Sequence, residues 1–193
     1  MAYTCKRAPN SQLEPPFTVV PQLDVSAHPC VQVLDIVFDM STCNIINFYH
    51  DVHDTSSLEV LTSLDIDELM PMLVMGNFNT HANAWSPPDV PRSRWADQVE
   101  RWAAQNLLTL ANNPGEITHW GADHECDSVI DLAWYNTGAV QSSTFYDLRM
   151  DWEGSLGSDH VCLQIAGITQ PAANPPREEG NTGYVVDPEC KEE

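Results

Sequence analysis

Basic side chains are scarce in this chain. Its 193 residues carry 8 lysines and arginines against 28 aspartates and glutamates, a formal net charge of -20, so the average surface repels polyanions at physiological salt. That balance counts against a general nucleic-acid binder and leaves only a local basic patch or bound divalent cations to reverse the field at one site. Long apolar runs are also missing. None approaches the roughly 18 residues of a membrane span, and no basic segment leads into an apolar stretch with a small-residue cleavage site. The expectation is an intracellular protein with no membrane partner, cytosolic or nuclear without distinction, because no basic cluster reads as a nuclear signal. The cysteines at positions 5, 30, 43, 126, 162 and 190 show neither a C-x-x-C nor a finger spacing. A zinc-finger module and a dithiol redox motif are therefore not written here, and reduced thiols are the expected state.

What is present suits one domain with a hydrophobic core, too short for two. Residues 1–29 are proline-bearing with few periodic apolar positions and read as an irregular arm; residues 169–193 are acidic and proline-rich and read as a disordered tail. Between them, "CVQVLDIVFDM" and "STCNIINFYH" predict a hairpin turning at Ser41-Thr42, with Val31, Val33, Leu34, Ile36, Val37, Ile45, Ile46 and Phe48 as core. "DTSSLEVLTSLDIDELM" predicts a helix with Leu58, Leu61, Leu64 and Leu69 inward, and "RSRWADQVERWAAQNLL" a second helix with Trp95, Val99 and Trp102 as a core stripe. "MLVM", "LTLAN", "EITHW", "SVIDLAWY", "VQSSTFYDLRM" and "HVCLQIAGI" are strand candidates. Strands and helices in mixed order indicate a layered α/β or α+β fold.

Polar islands interrupt this apolar pattern where strands end. "LVMGNFNTHANAW" stops an apolar strand at Gly76 and puts two amides, Asn77 and Asn79, at the sheet edge where α/β folds bind ligands. An ordinary turn with Asn residues bonded to their own backbone would read the same way. Asp131 lies inside the apolar run "SVIDLAW", where an unpaired carboxylate is costly, so it needs a partner. Asp159-His160 follow the loop "EGSLGS". A histidine beside one carboxylate, met by another from a different strand, is the minimal apparatus for orienting and charging an imidazole.

The ordered series "NFYHD", "GNFN", "VIDLAW" and "GSDHV", with "THW" and "WEGSLGSDH", resembles the endonuclease/exonuclease/phosphatase superfamily, which includes DNase I and exonuclease III. It is most similar to the apurinic-type endonuclease domains of fungal non-LTR retrotransposons, over residues 30–168. The resemblance implies a four-layer α/β sandwich, two packed mixed β-sheets flanked by helices, here lacking the family's first strands. It also implies roles. Tyr49 would contact the scissile phosphate, Asn79 would donate to its nonbridging oxygen, Asp131 would orient His160, and His160 would face the phosphate. Asp159 would help hold a divalent cation or the attacking water. The oxygen-rich ligand set so implied favours Mg or Mn over Zn.

Two departures limit that reading. Where the family has Gly-Asp-Phe-Asn, this chain has Asn77, an amide with no carboxylate charge to align or deprotonate water. Upstream, Glu14 is the only glutamate before Cys30, and its surroundings do not resemble the family's metal-binding strand. The expected activity is divalent-metal-dependent phosphodiester hydrolysis, endonuclease-like and impaired. The alternatives are a non-catalytic binding protein derived from a retrotransposon endonuclease, or a hydrolase of small phosphoesters. DNA or another phosphodiester is the implied partner, disfavoured by the net charge. Missing strands would also leave a sheet edge open to a second copy or another partner. Arg92, Arg94 and Arg101 form the one basic cluster of the folded region and read as a solvated helix face.

Overall fold

The computed structural model of the protein describes residues 17–38, 41–121, 127–142 and 147–166. The main sheet comprises β1 (Thr18–Pro21), β2 (Val31–Phe38), β3 (Ser41–Tyr49), β4 (Met72–Asn77), β5 (Thr109–Leu110) and β6 (Asp131–Tyr135), in the spatial order β1-β2-β3-β4-β6-β5. β7 (Asp147–Asp151) and β8 (Cys162–Ala166) form a separate pair. Three helices are α1 (Ser56–Ser63), α2 (Ala96–Gln105) and α3 (Thr137–Gln141).

The period of two along the strands sorts side chains into two cores. Ile46, Phe48, Val74, Leu132 and Trp134 face one side, where Leu58 and Leu61 of α1 and Val99 and Trp102 of α2 cover them. Cys43, Ile45, Leu73 and Tyr135 face the other, against Ala139 of α3 and Ile165 of β8. β4 is therefore buried on both faces, which is why "MLVM" reads as an unbroken apolar run. It runs parallel to β3, with α1 in the crossover, and antiparallel to β6. The expected α/β sandwich is borne out: a six-stranded mixed sheet, a second small sheet and a few helices stand among the described residues. The small sheet is antiparallel rather than mixed, because ten residues without a crossover element connect its strands.

Local differences from the sequence reading have physical reasons. Residues 1–29 do not stay irregular throughout, since β1 pairs with β2 from Thr18↔Val37 to Pro21↔Leu34. Pro21 is tolerated at the end of this edge strand, where its missing N–H breaks no central ladder. β1 thus occupies the β2 edge and is itself an edge strand of the sheet. Residues 1–16, and the tail 169–193, lie outside the described residues.

The hairpin does not turn at Ser41-Thr42, because both lie in β3 opposite Phe38 and Val37; the reversal falls between Phe38 and Ser41. Val37 is exposed rather than core. α1 ends at Ser63, where Leu64 turns extended, and Leu69 is exposed. "EITHW" yields no strand but a bridge, in which His119 pairs with Ser128 and His160. In "VQSSTFYDLRM", Val140 and Gln141 belong to α3 and the strand starts at Asp147; residues 143–146 lie outside the described residues.

Candidate active site

Three of the expected residues stand in one row. Tyr49 pairs with Asn77 across β3 and β4, and Asn77 pairs with Asp131 across β4 and β6. Directly opposed residues point to the same face, and the alternation assigns this row to the side of the small sheet. Gly76 makes the close approach possible. Its φ is 145°, and a Cβ there would stand 1.9 Å from the Phe48 carbonyl oxygen, so no other residue fits beside β3.

Asp131 is 8% exposed, and its strand is held by two side chains that act like backbone. The Asn112 amide donates to the Asp131 carbonyl at 3.0 Å and accepts from Ala133 N–H at 2.8 Å, extending the ladder past the two-residue β5. The buried Thr118 hydroxyl oxygen accepts the N–H groups of Ile130 and Asp131, each at 3.0 Å. Thr118 also brings in the fourth segment. Its carbonyl accepts from Val161 N–H at 2.8 Å, while Trp120 N–H donates to the Asp159 carbonyl at 2.8 Å, so Asp159 and His160 lie against Thr118 and His119.

The partner that burial demands for Asp131 is His160, whose Nδ1 lies 2.9 Å from Asp131 Oδ2. Burial pushes the Asp131 carboxyl above its ordinary range, opposed by hydrogen bonds from His160 and Thr118 and by the charges of His160 and His119. With Nδ1 turned to Asp131, Nε2 is the His160 nitrogen left to meet a ligand. His160 is also partly exposed, which a group meeting substrate requires.

The amide positions are more constrained. Asn77 Oδ1 accepts from Asn79 N–H at 2.8 Å, and Asn79 Nδ2 donates to the His50 carbonyl at 2.8 Å. Asn79 takes φ 43°, a left-handed conformation that asparagine tolerates well. This bend ends β4 and presents Asn79 two residues beyond the row. Tyr49 is 49% exposed. Beneath it His50 is fully buried, with Nδ1 3.0 Å from the Phe78 carbonyl and its ring 5.8 Å from that of Trp95.

His119, Asn112 and Thr118 were missed as site residues. The "THW" triplet did signal the first and last of these by position in the resemblance, but no local pattern marks a side chain that substitutes for a strand. Two of the three arginines in the cluster are engaged, and Arg101 is exposed. Arg92 is bound by Asp97 at 2.5 Å and by Glu100, and Arg94 stacks 4.2 Å over the Trp95 ring while donating to Val52 O.

The family implies a divalent cation, and the donors bear on which kind. Asp159 stands beside two imidazoles: one ring nitrogen each of His119 and His160 and one Asp159 oxygen lie within 4.8 Å of one another. Magnesium demands oxygen ligands in near-octahedral array. Two nitrogens and one carboxylate do not fit that demand, Asn77 Oδ1 already accepts from Asn79 N–H, and Asp131 Oδ2 is held by His160. These donors therefore do not suit magnesium.

The chain is thus a layered α/β domain that carries a buried carboxylate-imidazole pair where its central strands end. The family model for endonuclease-reverse transcriptase matches residues 43–164, and the chain belongs to that family, within the endonuclease/exonuclease/phosphatase superfamily. Among solved structures, the endonuclease domain of TRAS1, a telomere-specific non-LTR retrotransposon, is similar with a TM-score of 0.67 and 15% identity, over 80% of this chain and 70% of that one. An endonuclease/exonuclease/phosphatase family protein from Leptotrichia buccalis C-1013-b is similar with a TM-score of 0.47 and 11% identity, over 72% and 53%. No curated protein matches. The TRAS1 likeness shows the fold, and family and fold together support the phosphodiester-hydrolase kind. Among the described residues no helix is long and apolar enough to cross a membrane.

Proposed function

We propose that this domain is an endonuclease-like phosphodiester hydrolase with impaired catalysis. The observation that carries the reading is the 2.9 Å contact between His160 Nδ1 and the buried Asp131 carboxylate. Asp131 orients the ring so that Nε2 meets a nonbridging phosphate oxygen. Tyr49 and the remaining amide hydrogen of Asn79 add donors on the same side, stabilising charge that develops at phosphorus. Asp159 supplies an exposed carboxylate beside His119 for a water or a cation.

The weakness lies at Asn77. An amide cannot take a proton from water at neutral pH, and a positioned general base contributes about 10²–10⁴-fold to such a step. The second reading, a binding protein that no longer turns over, is favoured by this same residue and by the net charge of -20.

Supercoiled-plasmid nicking by the purified chain, in Mg²⁺ and in Mn²⁺, tests both against His160→Ala and Asn77→Asp. Under the hydrolase reading, weak nicking is abolished by His160→Ala and rises by about 10²–10⁴-fold in Asn77→Asp. Nicking unaffected by His160→Ala overturns the reading, and silence from all three forms transfers it to the binding protein.

A further inference from the structure

We propose that His119, Asp159 and His160 form a binding site for one borderline divalent cation of the zinc class. The proposal does not depend on the chain being a hydrolase. Three ligand atoms on these residues lie within 4.8 Å of one another, and His119 Nε2 is 3.6 Å from Asp159 Oδ2. Two donors on a tetrahedral zinc, each at about 2.0–2.1 Å, stand roughly 3.4 Å apart. The His119–Asp159 separation needs only a small side-chain rotation, and Asp159, 67% exposed in its side chain, is free to make it.

The hydrogen bonds that fix the two imidazoles separate this group from an ordinary surface ion pair. A metal-binding histidine characteristically has its other ring nitrogen tied to a carboxylate, a carbonyl or a similar group, which fixes tautomer and orientation. Both histidines satisfy this. His160 Nδ1 is held by Asp131 at 2.9 Å and His119 Nδ1 by Ser128 Oγ at 3.2 Å, so Nε2 is the nitrogen each ring keeps for another partner. The ring centroids are 4.6 Å apart, and the antiparallel bridge between His119 and His160 locks the two segments.

Imidazole donors suit zinc, copper, iron or nickel, and oxygen donors suit magnesium. Three protein ligands leave at least one position open for water or a phosphate oxygen, as in zinc sites that are not purely structural. The charge of -20 raises the local concentration of any cation. A cation here also takes the His160 nitrogen that would otherwise face a ligand directly, so zinc and a bare phosphodiester compete for one atom.

Calorimetric titration of the full chain with Zn²⁺, and separately with Mg²⁺, tests this, with Co²⁺ absorption reporting the ligand field. Expected are one Zn²⁺ per chain, a tetrahedral-type Co²⁺ spectrum, and no displacement by equimolar Mg²⁺. His119→Ala and Asp159→Asn each weaken zinc by about tenfold or more, and Ser128→Ala by about 10–100-fold as an orienting partner. Circular dichroism checks that each variant folds, and His119→Gln replaces His119→Ala if the latter does not. Zinc affinity unchanged in both ligand variants, absent one-to-one binding, or equal displacement by Mg²⁺ would overturn the site.

Discussion

Asp131 carries opposing demands. Its carboxyl is held above its ordinary range by burial, so folding takes up a proton in the window between the ordinary carboxylate value and the raised one. The sign follows: this contribution to stability is full below the ordinary value and is lost as pH rises through the raised one. Asp131→Asn should therefore melt a few degrees higher than the natural chain at pH 7 and lose that advantage toward pH 4, while giving up the orientation of His160. A thermal melt at both pH values checks it; a variant less stable at pH 7 would mean that the His160 contact outweighs desolvation. The need for a partner was legible at this residue from one carboxylate inside "VIDLAW". Which of the seven histidines answers it came from the family resemblance, which implied His160, and not from any local pattern; in the fold the Thr118 to Val161 pairing brings His160 to it.

At the scale of elements, much depends on side chains that stand in for backbone. The buried Asn136 caps α3 by accepting from Ala139 N–H at 2.9 Å, accepts from Met72 N–H at 3.0 Å, and donates to the Met70 carbonyl at 2.7 Å. It ties the loop before β4 to the end of β6. Asn136→Ala takes the side-chain acceptor from the buried Met72 N–H and the donor from the part-buried Met70 carbonyl, while Ala139 N–H keeps the position 136 carbonyl at 3.2 Å, and should lower stability by about 1–3 kcal/mol, seen in urea as a lower midpoint at unchanged slope. The strands themselves were readable because a period of two and the apolar run of β4 are local signals. Element ends were less so: α1 stops at Ser63 although leucines continue at helical spacing, because Leu69 finds no core to enter and is 82% exposed. β1 was invisible, since its side chains are all exposed and pairing with β2 alone makes it a strand.

For the molecule as a whole, two histidines tie stability to pH on the acid side. Burial lowers the pKa of His50 and of His81 below the ordinary 6.5, and His50 Nε2 and His81 Nδ1 are buried without a hydrogen-bond partner. Each thus contributes stability that is full above about pH 6.5 and is lost as pH falls through the lowered value, at up to about 1.4 kcal/mol per pH unit per proton. Denaturation midpoints measured from pH 7.5 to 5 should fall, and the slope should flatten in His50→Gln/His81→Gln; an unchanged slope would place the acid sensitivity elsewhere. The amino-acid sequence by itself determined the charge, the alternating strands, the amphipathic α2 and the amide at position 77, since each is a property of composition or of near neighbours. Only the tertiary structure decided that Tyr49, Asn77 and Asp131 share a row, that Asn112 extends the ladder, and that His119 meets Asp159 and His160. Those are contacts between residues far apart in the chain, set by strand register and by the cost of leaving buried polar groups unpaired.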